Sequence, residues 1–219
     1  MLINNTIAIE TENGIASTKG LQGLGYSEFE VPIAGNRFKS EVIDLLEYLA
    51  NYVLENQVHI KSGETIPYGY WLLKLKDKGS GVLEVWEYND EATEFIVGAN
   101  LTLKYFSEQS GICKKYKSIF SPPRPDKKVA ISDGVLEGDA VEGVRYHAPN
   151  HMSGWYITTD KYNGDFKTLE VINAYQLTSV RPDLAAFLAL TQGFRFCKDK
   201  YSSSAWFDKE AYAQPGKSH

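Results

Sequence analysis

Apolar positions along this chain follow two periods. Ile7 and Ile9 alternate with polar neighbours, and Phe29-Glu30-Val31 resumes an extended pattern before Pro32. Tyr70 to Lys76, Val82 to Tyr88 and Glu94 to Tyr105 are rich in β-branched and aromatic residues, which predicts further strands. In between, Val42, Leu45, Leu46, Leu49 and Val53 recur at steps of three and four, the spacing of one apolar stripe on a helix. Ser40 is placed to cap that helix, and Glu41 and Asp44 suit its positive first turn. Breaks fall at Gly20 to Gly25, at Lys78-Gly79-Ser80-Gly81 and at Asn89-Asp90-Glu91. The pattern predicts an antiparallel meander with the helix across one face.

A change of composition follows. From Cys113 to Lys128 the chain carries Lys114, Lys115, Lys117, Arg124, Lys127 and Lys128 against Asp126 alone, and Ser121-Pro122-Pro123-Arg124-Pro125 favours an extended backbone. Beyond it, Val129 to Ile131 starts a strand, and Trp155 to Thr159 is expected to pair with Thr168 to Tyr175 around an Asn163-Gly164 turn. Pro182 opens a short helix with Asp183 at its N-terminus and Leu184, Phe187 and Leu188 as its buried side, and Gly193 is its expected stop. The expected organisation is α+β in two domains, each a mainly antiparallel sheet with one or two packed helices. The N-terminal domain, of no assigned family, covers 1–112, a basic proline-containing linker 113–126, the second domain 127–200, and a loosely held tail 201–219, which Trp206, Phe207 and Tyr212 could dock.

At 219 residues with 43% hydrophobic content, the chain has material for one large core or two modest ones. A formal net charge of -5 argues against coating nucleic acid or an anionic membrane and favours a basic partner. No apolar run nears the roughly 20 residues of a membrane span, and Met1-Leu2-Ile3-Asn4-Asn5 lacks the features of a secretory signal, so the expected compartment is the cytoplasm. Cys113 and Cys197 are single and far apart, which predicts two free thiols. Chemistry is sparse. The Gly20 to Gly25 stretch has neither the Lys-Ser or Lys-Thr of a phosphate loop nor the order of a dinucleotide fingerprint. His59, His147, His151 and His219 lack the paired spacing of zinc ligands, and Ser153 lacks the glycine pattern of a nucleophile elbow. No catalytic, cofactor-binding or metal-binding residue is assigned.

Four short motifs stand in order: Ile131-Ser132-Asp133-Gly134-Val135-Leu136-Glu137-Gly138, Ser153-Gly154-Trp155-Tyr156-Ile157, Arg181-Pro182-Asp183-Leu184 and Gly193-Phe194-Arg195-Phe196. In order and spacing they resemble the bacterial immunity-protein domain found beside polymorphic toxins, immunity protein thirty-three, formerly a domain of unknown function. The resemblance covers about residues 127–198. It implies a non-enzymatic inhibitor that binds and neutralises a cognate toxin in the producing cell, by occluding its active site or substrate surface, without a cofactor.

The residues themselves supply the interface candidates. Between Val129 and Val144 stand Asp133, Glu137, Asp139 and Glu142 with no basic residue, an acidic run suited to steering toward a basic toxin cleft. Tyr146, His147, Asn150, His151, Asp160, Tyr162 and Asp165 flank the Trp155 strand and mix aromatic with polar groups. A second acidic run holds Glu84, Glu87, Asp90, Glu91 and Glu94. If residues alternate, Trp155 and Ile157 share one face of their strand and Tyr156 and Thr158 the other. Two other readings stand beside the inhibitor: a binding or adaptor module working through Lys114 to Lys128, and a hydrolase built from Asp133, His147 and His151.

Overall fold

In a computed structural model, which describes residues 2–3, 7–33 and 39–214, the chain divides into two compact α+β units, Met1–Asn89 with Thr93–Lys104 and Asp90–Ala92 with Tyr105–His219. Met1, Asn4, Asn5, Pro215, Gly216 and His219, singled out in the sequence, lie outside the described residues.

The alternation at Ile7 and Ile9 belongs to the first unit's sheet. Its strands are β1 (Leu2–Ile3), β2 (Ile7–Glu12), β3 (Ile15–Lys19) and β4 (Glu28–Pro32), then, after helix α1 (Lys39–Asn56), β5 (Thr65–Tyr68), β6 (Trp71–Gly79), β7 (Val82–Tyr88) and β8 (Phe95–Val97). The order is β1-β2-β3-β4-β7-β6-β5. Among the described residues of this unit, only β4 and β7 pair in parallel, and β8 continues along β7 beyond the stretch that β4 covers. Helix α1 packs on β2, β3 and β4. Val42, Leu45, Leu46, Leu49 and Val53 are all buried on its inner side, as their spacing predicts. At about 1.5–3 kcal/mol for each such side chain, this stripe contributes on the order of 10 kcal/mol before chain entropy is counted.

Three local expectations are corrected in this unit. Ser40 lies inside the first turn of α1 and its hydroxyl donates to Glu41, so it is not the cap. The stretch Glu94 to Tyr105 is not one strand: β8 ends at Val97, Gly98 turns the backbone at φ 110°, and Asn100 begins helix α2 (Asn100–Tyr116). Thr102, Tyr105, Gln109 and Cys113 are buried along α2 at helical spacing, a period hidden by residues with strand propensity. Glu87, one of the second acidic run, is not a surface charge but a buried anchor for this helix: its carboxylate accepts from the amides of Leu101 and Thr102 at 3.0 and 2.7 Å. Burial raises its pKa and those bonds oppose the rise. The glycine stretch Gly20 to Gly25 is filled from within, since the Gly20 and Gln22 amides donate to the buried Glu28 carboxylate at 2.8 and 3.1 Å.

In the second unit, strands β9 (Lys128–Ile131), β10 (Val141–Arg145), β11 (Met152–Thr158) and β12 (Glu170–Asn173) precede helix α3 (Ala174–Val180) and a 3-10 helix, Pro182–Phe187. Strands β13 (Phe194–Lys198) and β14 (Ser203–Phe207) and helix α4 (Lys209–Ala213) follow. The sheet order is β12-β9-β11-β10-β13-β14. Strand β12 therefore does not pair with β11 across the Asn163-Gly164 turn; β9 lies between them, parallel to β11 and antiparallel to β12. Inserting β9 is a long-range choice that local turn chemistry does not encode. Thr168 to Tyr175 is likewise divided, with Tyr175 in α3. The 3-10 helix buries Leu184 and Phe187 as expected, but it ends at Phe187, and Gly193 instead leads into β13 at φ 86°.

The basic stretch is not a free linker either. Cys113 to Tyr116 form the last turn of α2. Beyond them the Ser121 amide donates to the Ala189 carbonyl, Phe120 bridges Leu190, and Pro123 and Pro125 are buried. The tail is also anchored: β14 pairs with β13 over five residues, and Asp208 accepts from the Glu210 and Ala211 amides to cap α4. Cys113 and Cys197 are free thiols.

Candidate functional site

Residues of the four motifs, with Arg145, set much of the core face of the second sheet. Trp155 is fully buried, meets Phe196 edge-on at 5.3 Å, and donates its indole N–H to the Leu188 carbonyl at 3.0 Å. Gly154 stands at φ 86° where the β9–β11 register shifts, and a Cβ there would collide with the Tyr146 carbonyl. Ser153 Oγ donates to the Lys128 carbonyl, tying the bulge to β9. Arg145 is 4% exposed and gives its guanidinium to the carbonyls of Ser153, Ser121, Leu188 and Leu190. Burial pulls its pKa down to about 10, still well above neutral pH, so the charge is retained. Arg181 holds the Val135 carbonyl at 2.6 Å and forks onto the Asp183 carboxylate at 3.0 and 3.1 Å. These residues serve the frame. Arg145 was not singled out as structural from the sequence, because an arginine at a core position breaks the apolar alternation that marks a strand.

On the opposite face two rows of side chains lie side by side. Pairing places Thr158, Glu142, Cys197 and Ser204 in one row and Tyr156, Val144, Arg195 and Trp206 in the next. The expected division of β11 is seen here, with Trp155 and Ile157 in the core and Tyr156 and Thr158 on this face. The first row borders a hollow of 340 Å³ that also takes in Asp160, Lys198 and Asp199. Beside it runs a groove of 270 Å³ walled by Tyr146, Tyr156, Tyr162 and Phe166, with Glu142 and Arg195 at its charged side. The Tyr146 and Tyr156 rings meet edge-on at 5.5 Å. Burial raises the Tyr156 pKa, and the neighbouring Tyr146 and Tyr162 phenols add to the rise. Arg195 joins Asp208 at 2.6 Å and Glu142 at 2.8 Å.

The candidates from the sequence are brought together only in part. Glu142, Tyr146 and Tyr162 line the groove, and Glu142 and Asp160 line the adjoining hollow. Asp165 caps a 3-10 turn (Phe166–Thr168) by accepting from the Lys167 amide, and its charge acts on Tyr162. At the far end of β11, Asp139 pairs with Lys161 at 2.7 Å, and Asp133 and Glu137 add to the field that raises the Lys161 pKa. His147, Asn150 and His151 are exposed at the other end, where His147 packs on the Tyr212 ring at 4.8 Å. Sequence reasoning passed over Tyr156, Phe166 and Arg195 as surface residues; the outward parity of Tyr156 was the available signal.

Asp133, His147 and His151 are not brought together as the hydrolase reading requires. Asp133 follows the C-terminal end of β9, beside Thr159, whose hydroxyl donates to its carbonyl at 2.7 Å. His151 sits beside Lys128 at the opposite end of β11, and His147 follows Tyr146, which bonds Gly154. The seven residues of β11 separate the two ends by about 20 Å at the strand rise of ~3.3 Å per residue. Among the described residues, no three His, Cys, Asp or Glu side chains converge as metal ligands, and no helix is long and apolar enough to cross a membrane.

Residues 17–79, in the first unit, match the family model of a domain of unknown function (DUF4261). No curated protein matches the chain. No solved structure matches it. Residues 108–208, the stretch that contains the whole second sheet, match the family model of the Imm33-like domain and are similar to the domain that the ordered motifs resemble.

Proposed function

We propose that the protein is an immunity protein that binds a cognate bacterial toxin and blocks its active site or substrate surface in the cytoplasm of the producing cell. The observation that carries this reading is the Imm33-like match over residues 108–208. The protein acts by occlusion and performs no bond-making chemistry. Its binding surface is the outer face and adjoining loops of the second unit's sheet, where Glu142, Tyr146, Asp160 and Tyr162 border two connected depressions. Asp133 and Glu137, both exposed, extend the acidic rim and attract a toxin with a basic face. A stable complex covers roughly 800 Å² on each partner, more than these depressions alone supply, so the flanking loops take part.

Co-expression with the product of the adjacent upstream gene tests the reading. Rescue of growth and copurification of the two proteins are the expected result. A toxin-like neighbour that still kills in the presence of this protein overturns it.

A further inference from the structure

The groove bounded by Tyr146, Tyr156, Tyr162 and Phe166 has the volume of a side-chain socket. At 270 Å³ it is below the ~300–1,000 Å³ range of small-molecule sites, yet roomy enough for one long side chain. Its walls are aromatic, and an aromatic face attracts a cation through the ring quadrupole. Its charge has the matching sign. Arg195, the one cation lining it among the described residues, is held between the Glu142 and Asp208 carboxylates, and Asp165 adds a further negative charge beside Tyr162. Neither Lys161, which pairs with Asp139, nor Lys167 lines it.

We propose that this groove receives an arginine side chain presented by the toxin, with the guanidinium on the tyrosine rings and the charge facing Glu142. Arginine suits the socket better than lysine because its planar, weakly hydrated head stacks on aromatic faces and donates in a fixed fork. The inference rests on the toxin-binding reading only for the identity of the protein that bears the arginine.

The test is an NMR titration of the full chain at low salt with acetyl-arginine N-methylamide. Saturable shifts of the Tyr146, Tyr156 and Tyr162 ring resonances are expected. The neutral isostere acetyl-citrulline N-methylamide should bind about fivefold more weakly, the factor that about 1 kcal/mol of cation–π attraction represents. Glu142→Gln, at an exposed position, should weaken the arginine probe by a similar factor. No shift with arginine, equal binding of citrulline, or the same shifts produced by acetyl-glutamate N-methylamide, which would mark an anion site at Arg195, each overturns the proposal. Failure of the broader reading looks different. A host that dies despite intact arginine binding removes the toxin assignment and leaves the socket, whereas a protein that protects its host but binds citrulline as well as arginine removes the socket and leaves immunity.

Discussion

The Arg145 guanidinium donates to the Leu190 carbonyl at 2.6 Å, from a strand to the loop after the 3-10 helix, and the same side chain reaches Ser121 and Leu188. One buried charge thus closes four backbone segments around the second core. Removing it leaves several carbonyls without donors, each costing about 1–3 kcal/mol. Arg145→Met is expected to lower unfolding free energy by about 3–5 kcal/mol. Arg145→Lys should recover only part of this, because an ammonium cannot span the same fork of acceptors. Urea unfolding measures both; a loss under 1 kcal/mol for Met would contradict the role.

Gly154→Ala should be costly for a different reason. Its φ of 86° lies in the left-handed region, which costs a non-glycine residue about 1–2 kcal/mol, and the added methyl collides with the Tyr146 carbonyl. Total destabilisation of about 3 kcal/mol or more is expected, with disturbed signals around Tyr146. Gly164 shares the positive φ but has open space around a Cβ, so Gly164→Ala should cost only the conformational part. Thermal melts of the two variants make the comparison.

Asp208 links acid stability to the end of the chain. Its pKa is held below the usual carboxylate range by the Arg195 hydrogen bond first, with the Ala211 and Glu210 amides adding. A carboxylate depressed in the folded state contributes stability that is present above its unfolded pKa, near 4, and is lost as pH falls through the lower folded value. Asp208→Asn should therefore flatten the fall in stability on the acid side. At neutral pH, Asp208→Ala should cost about 1 kcal/mol from the lost α4 cap, because its ion pair is too exposed to add much. Unfolding followed between pH 2 and pH 5 distinguishes these slopes, and an unchanged acid limb for Asn would refute the linkage.

The acidic rim makes a kinetic prediction. Asp133→Lys with Glu137→Lys should slow association with the toxin by about tenfold or more at low salt and flatten its ionic-strength dependence, with little change in dissociation. Stopped-flow association measured at several salt concentrations tests this. Equal association rates for the double variant and the native protein would show that the rim does not steer.

Legibility differed by element for physical reasons. The stripe from Val42 to Val53 is a local periodic signal, and α1 follows it. Helix α2 was hidden because Thr102, Tyr105 and Phe106 have strand propensity, while the Glu87 carboxylate that anchors its first turn lies 14 residues upstream. Strand β10 escaped notice because Gly143 and Arg145 occupy its core positions; Gly143 leaves room for the Phe196 ring, and Arg145 is acceptable there only with four carbonyls around it.

The chain's own order of residues determined the α+β character, the inward Trp155 and the outward Tyr156, and the motif order that resembles the immunity-protein domain, since each depends on neighbours within a few positions. Tertiary structure alone decided that β9 enters between β11 and β12, that β14 and α4 are anchored through Asp208, and that Tyr146, Tyr156, Tyr162 and Phe166 share one groove. Those outcomes depend on pairing and packing between distant segments, and such contacts have no period along the sequence to announce them.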